Sequence, residues 1–252
     1  MKAGVCLVGF CVLVTWLVVG GVRREVLTVM LTGVSLVIFP FLLNFKFNPE
    51  YQIQRRLLHM FTGSLIVYLS SILDVKILYL SLFMLTLGSA VIEVSRRRIP
   101  AAARLFGFFF GNLLRPEEAK GRRIPGAFYF LPGAGVCLLL FPTEVARLGI
   151  LALAYGDPAA GFFGAFKRRT NFRIYGKSLF GFLACAVVAG AACVAYEALA
   201  GAPSTGASAL WRFAKYGMLA GVAETVAVLD DNLTMPSVFC LLLEFLCCCV
   251  YI

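Results

Sequence analysis

The residues of this 252-residue chain best suited to chemistry are a few ionisable side chains set in or beside long apolar runs: His59, Asp157, Lys177, Glu224, Asp230 and Asp231. An ionised carboxylate in hydrocarbon costs a few kcal/mol or more, so it faces a cavity, a partner or an ion. Asp157 lies in Tyr155-Gly156-Asp157-Pro158-Ala159-Ala160-Gly161-Phe162-Phe163-Gly164. Gly156 and Pro158 are expected to break the helix there, freeing backbone groups that could receive an ion or a phosphate. Gly161 and Gly164 allow close backbone approach. Asp230-Asp231-Asn232, followed by Pro236, supplies hard oxygen ligands suited to Mg²⁺. If the preceding helix ran on through Asp231, Glu224 would stand seven residues earlier on the same face.

Two further groups add charge of the opposite sign. The segment from Phe166 to Ser178 carries Lys167, Arg168, Arg169, Arg173 and Lys177 and no acid, a composition that suits triphosphate oxygens. It is not a Walker A loop, because Asn171 stands where that motif needs its first glycine. His59, the single histidine, shares a helical stripe with Arg56 and Gly63. Taken alone, a lone histidine reads as a structural hydrogen-bonder. Glu93 with Arg96 and Arg97 reads as an i,i+3/i,i+4 pair at a helix end, and Glu197 and Glu244 receive no role.

These residues must be positioned by membrane helices. The chain is 61% hydrophobic and 14% charged, with a mean hydropathy of +0.90, more apolar surface than a water-soluble domain can hide. Crossing about 30 Å of hydrocarbon takes about 20 helical residues, and continuous apolar runs indicate helices rather than barrel strands. The runs are 3–20, 26–43, 58–73, 76–94, 126–142, 145–165, 179–200, 211–229 and 234–252. The fold class is therefore all-α, a polytopic integral membrane protein with about 7–9 transmembrane helices in one catalytic domain spanning 1–252. Residues 3–20 are read as the first membrane helix rather than a signal peptide. Six cysteines, Cys6, Cys11, Cys137, Cys185, Cys193 and Cys240, lie inside the runs as small hydrophobes, and Cys247 to Cys249 are candidates for acylation.

Charge fixes the expected orientation. The net charge of +10 is concentrated in three segments, 44–56, 95–125 and 166–178. Threading nine helices from a cytosolic N-terminus puts all three, and most of the 23 basic residues, on one side, which the positive-inside rule makes cytosolic. Arg23 and Arg24 fall on the other side. The same threading brings His59, Asp157, Lys177 and Asp230-Asp231 to the cytosolic face. Basic residues placed in the gaps between apolar runs favour topology and phosphate binding over nucleic acid.

The order Arg56-x-x-His59, the Glu93–Arg97 region, Gly156-Asp157-Pro158-Ala159-Ala160-x-x-Gly164, Lys177-Ser178 and Asp230-Asp231-Asn232-Leu233-Thr234-x-Pro236 resembles the CTP-dependent lipid kinases, over about 52–245. That group includes dolichol kinase, phytol and farnesol kinases, and the CTP-dependent diacylglycerol kinase of yeast type. The chain departs from the family pattern at Phe166-Lys167 and Leu179-Phe180-Gly181. The resemblance implies transfer of a nucleotide γ-phosphate, from CTP, to a membrane lipid alcohol at the cytosolic face. It implies Mg²⁺ held by Asp157 with Asp230, Asp231 and Glu224. The nucleotide would be bound through Lys177, Ser178, Arg168, Arg169, Gly156 and Gly164, and catalysis would fall to Asp157, His59 and Asp231. The expected partners are the lipid alcohol, the nucleotide and the bilayer. The expected membrane is the endoplasmic reticulum in a eukaryote or the plasma membrane in a bacterium. Two alternatives stay open: a cytidylyltransferase forming a CDP-lipid, and a transporter with Asp157 as its ion site.

Overall fold

The computed structural model describes residues 52–165, 173–174, 177–202, 205–226 and 230–250, all within one compact unit, Asn44–Ile252. The apolar runs 3–20 and 26–43, Cys6 and Cys11, and the basic residues Arg168 and Arg169 lie outside the described residues.

The remaining apolar runs are all helices. They are α1 (Ile53–Ile72), α2 (Val75–Arg98), α5 (Ala127–Leu140), α6 (Thr143–Ala165), α7 (Leu179–Leu199), α8 (Gly206–Val226) and α9 (Asp231–Val250). Between α2 and α5 stand α3 (Pro100–Phe110), a short 3₁₀ turn (Gly111–Leu113) and α4 (Pro116–Ala119). Two-residue strands β1 (Arg173–Ile174) and β2 (Lys177–Ser178) pair antiparallel, with Ile174 opposite Lys177. By length and composition Val75–Arg98, Leu179–Leu199 and Asp231–Cys248 can each cross a membrane. The all-α membrane architecture read from composition is the one observed.

The helix ends follow from local chemistry. Asp74 accepts a hydrogen bond from the Lys76 N–H at 2.7 Å and starts α2, which ends at Arg96, Arg97 and Arg98, where cations favour the C-terminal dipole. Ile99 is extended before Pro100, which occupies the first turn of α3. Ser178 caps α7 by accepting from the Gly181 N–H at 2.9 Å.

Helix α6 is central, packed against α1, α7 and α9. Its Ala146, Ile150, Ala152, Leu153 and Ala154 are fully buried. Helices α7 and α8 pair closely and bury Ala189, Cys193, Ala220 and Ala223 completely, the small-residue packing that lets membrane helices approach. Cys137, Cys185, Cys193 and Cys240 are buried free thiols, as expected of small hydrophobes. In contrast, α2 exposes Leu80, Phe83, Met84 and Val91, a face suited to lipid.

Helix α6 continues unbroken through Gly156 and Pro158, contrary to the expected break. Proline removes one N–H, but a helix clamped on several sides keeps its course, and in membrane helices such prolines are tolerated. Pro132 in α5 and Pro236 in α9 are likewise interior. The condition that α8 run on through Asp231 is not met: α8 is described to Val226, and Asp231 opens α9.

Candidate active site

The stripe on α1 is what fastens the site to α6. Gly63 lies so close that a Cβ there would stand 2.3 Å from the Ala154 Cβ, so only glycine permits this contact. One turn earlier, His59 Nε2 lies 3.9 Å from an Asp157 carboxylate oxygen, with the ring edge-on to Phe130 at 4.6 Å. Another turn back, Arg56 donates to the Pro158 carbonyl, and its guanidinium lies over Gly161, where a Cβ would collide. Arg56, His59 and Gly63 thus each meet α6, as their spacing required. His59 is not simply a satisfied core histidine: Nε2 is buried with no hydrogen-bond partner among the described residues.

Three helices then converge. Ligand oxygens of Asp157 (α6), Glu224 (α8) and Asp231 (α9) all lie within 4.8 Å of one another. Lys177, at the end of the strand pair, donates to Glu224 Oε1 at 2.9 Å and to Asp231 Oδ1 at 2.7 Å. Burial pushes the Lys177 ammonium down, but the carboxylates of Glu224 and Asp231 outweigh it and hold its pKa above the usual lysine range. Glu224 is 8% exposed, and its Oε2 has no hydrogen-bond partner among the described residues. Three acidic side chains crowd around one ammonium. That crowding of acidic oxygens, with one buried and orphaned, is what a divalent cation with oxygen ligands would satisfy. Asp157, Glu224 and Asp231 therefore fit Mg²⁺ as a donor set.

Not every candidate joins them. Asp230 stands apart from the carboxylate trio: its side chain accepts from the Asn232 N–H at 3.1 Å, and its carbonyl accepts from Leu233 and Thr234 at the start of α9. Burial pushes its carboxyl upward. Gly156 packs against α7 and α9, where a Cβ would meet the Cys185 Sγ at 2.8 Å and the Met235 Cε at 3.2 Å. Gly164 lies beside Ser178, whose Oγ would be 2.9 Å from a Cβ there. Ser178 Oγ itself is engaged as the α7 cap.

A second polar cluster braces the first. Glu118 is buried, pairs with Arg55 at 3.2 Å, and accepts from the backbone N–H groups of Arg115 at 2.8 Å and Gly126 at 3.2 Å. Gly126 returns its carbonyl to Asn232 Nδ2 at 2.8 Å, next to Asp231. Arg96 donates to the Glu118 carbonyl at 3.1 Å and pairs with Glu93, as does Arg97. The Glu93 pairing matches its spacing. Glu118 has no role in the sequence motifs above, although Pro116 with an acid three residues after Arg115 is a recognisable helix-start pattern.

The chain is similar to CTP-dependent diacylglycerol kinase 1 of Schizosaccharomyces pombe (strain 972 / ATCC 24843), 31% identical over 160 residues, covering 60% of this chain and 72% of the relative. No family model matches, and no solved structure matches.

Proposed function

The chain belongs to the CTP-dependent lipid kinases, and on that premise we propose that it transfers the γ-phosphate of CTP to the hydroxyl of diacylglycerol at the cytosolic membrane face. The observation that carries the reading is the meeting of Asp157, Glu224 and Asp231 with Lys177 at one point of the bundle. The acceptor follows the relative, a diacylglycerol kinase by name. Dolichol, phytol and farnesol are the competing acceptors.

Phosphoryl transfer needs positioning and charge neutralisation more than covalent help from the protein. Bound at the three carboxylates, Mg²⁺ would supply neutralisation of the triphosphate oxygens. Lys177 orders Glu224 and Asp231 with two of its three N–H donors, leaving the third for a phosphate oxygen. Arg168 and Arg169, which the resemblance assigns to the nucleotide, lie outside the described residues. In the transfer itself, the lipid oxygen forms a bond to the γ-phosphorus, the bond from that phosphorus to the bridging oxygen breaks, and CDP leaves. The hydroxyl proton goes to His59 Nε2, the buried acceptor facing Asp157. Asp157, 3.9 Å away, would stabilise the imidazolium charge after transfer.

The test uses purified protein in detergent with Mg²⁺ and diacylglycerol, dolichol, phytol and farnesol supplied separately. With γ-labelled CTP, label is expected in phosphatidate and not in the isoprenoid products. Label entering the lipid from α-labelled CTP would instead establish cytidylyl transfer, and label in neither case would end the enzymatic reading in favour of transport.

A further inference from the structure

Helix α3 is too short for the bilayer. Its eleven residues extend about 16 Å, half of the hydrocarbon thickness. Yet Leu105 and Phe108 are 61% and 66% exposed. Arg104 on the same helix is exposed, as are Arg97, Arg98, Arg115 and Lys120 in the flanking segments. Apolar side chains on one side and cations around them describe a helix lying in the membrane interface rather than across it.

Beneath this helix is a cavity of about 520 Å³, bounded by the end of α2, by α3 and by the Gly111–Gly121 segment. Arg96, Arg97 and Lys120 supply its charge, and Phe106, Gly107 and Leu114 its apolar wall. Arg96 is held by Glu93 and the Glu118 carbonyl, with its guanidinium 5.0 Å from the Phe106 ring centroid. Arg97 shares the same Glu93 and remains 41% exposed. Glu93 pairs with both guanidiniums and Lys120 adds an ammonium to the lining, leaving a formal surplus of +2 around a space with one apolar side. We propose that this cavity is an accessory site for the phosphate headgroup of an anionic glycerophospholipid from the surrounding bilayer. Arg97 and Lys120 pair with the phosphate, and Phe106 and Leu114 lie against the glycerol and first acyl carbons. The lipid source follows from α3, which lines the cavity with Phe106 and Gly107 while exposing Leu105 and Phe108, side chains suited to lipid rather than to open water.

Binding is measured without turnover, so the result stands apart from the kinase reading. Full-length protein in detergent is titrated with phosphatidylglycerol or phosphatidylcholine and examined by native mass spectrometry. One phosphatidylglycerol per chain is expected to be retained in preference to phosphatidylcholine. R97Q/K120Q should weaken retention by about 10–30-fold, whereas R97K/K120R, and the charge-matched control K76Q/K215Q, should retain it. Millimolar inorganic phosphate or CTP should not displace the lipid. Equal retention of phosphatidylcholine would overturn the proposal, as would full binding by R97Q/K120Q or equal loss in the control. Displacement by phosphate or CTP would reassign the cavity to a soluble anion.

Discussion

Lys177 serves two carboxylates at once, and its removal separates structure from chemistry. Lys177→Met leaves the buried Glu224 carboxylate without a partner, which should lower stability by about 1–3 kcal/mol. Adding Glu224→Gln should recover most of that loss while leaving the enzyme inactive, because the coupling is local and the charge is gone. Thermal midpoints and label transfer for the two variants decide this. The pH dependence has a definite sign. The folded Lys177 pKa is raised above its unfolded value of 10.5, so its stabilisation is complete below that value and is lost as pH rises through the folded pKa. On its account, thermal stability should not fall between about pH 7 and 9. A midpoint that drops over that window in wild type but not in Lys177→Met would contradict the assignment. His59→Gln should reduce kcat by about 10²–10⁴-fold with little change in the KM for CTP, as loss of a proton acceptor does; a change confined to KM would give His59 a binding role instead.

At the scale of elements, the geometry of the site rests on how closely α1 lies on α6. Gly63→Ala should drive the helices apart, since its Cβ would stand 2.3 Å from that of Ala154, and so lengthen the His59–Asp157 approach one turn away. Gly63→Ala with Ala154→Gly exchanges the methyl across the interface and should restore most of the lost activity. Failure of the exchange, with both proteins folded, would detach that contact from the site. The stripe of Arg56, His59 and Gly63 could be read in advance because helical period alone decides which residues share a face. The Asp157 and Asp231 segments were recognisable because carboxylates are costly in apolar surroundings. What could not be read depended on tertiary partners. Pro158 was expected to break α6, yet packing on α1, α7 and α9 keeps the helix continuous. Glu224 was reached by extending α8 through Asp231, whereas the two carboxylates meet across separate helices. Asp230 could not be told from Asp231 by type, and only the start of α9 assigns it to capping. Helix α3 was absorbed into a basic segment because its eleven residues are shorter than a membrane span.

For the whole molecule, apolar helices establish an integral membrane protein, and charge asymmetry is the argument for the proposed orientation. If the face bearing Lys120 and the carboxylate site is cytosolic, a cysteine placed at Lys120 should react with an impermeant maleimide only from the cytosolic side. One placed at Asp74, between α1 and α2, should react only from the opposite side. Labelling in the reverse sense would invert the topology and move the proposed chemistry away from cytosolic CTP. The account as a whole depends on Asp157, the carboxylate that joins His59 to Glu224 and Asp231. The most direct measurement compares wild type with Asp157→Asn at equal membrane insertion, following γ-label from CTP into phosphatidate. Transfer should fall by about 10²–10³-fold or more in the variant; transfer at the wild-type rate would contradict the account.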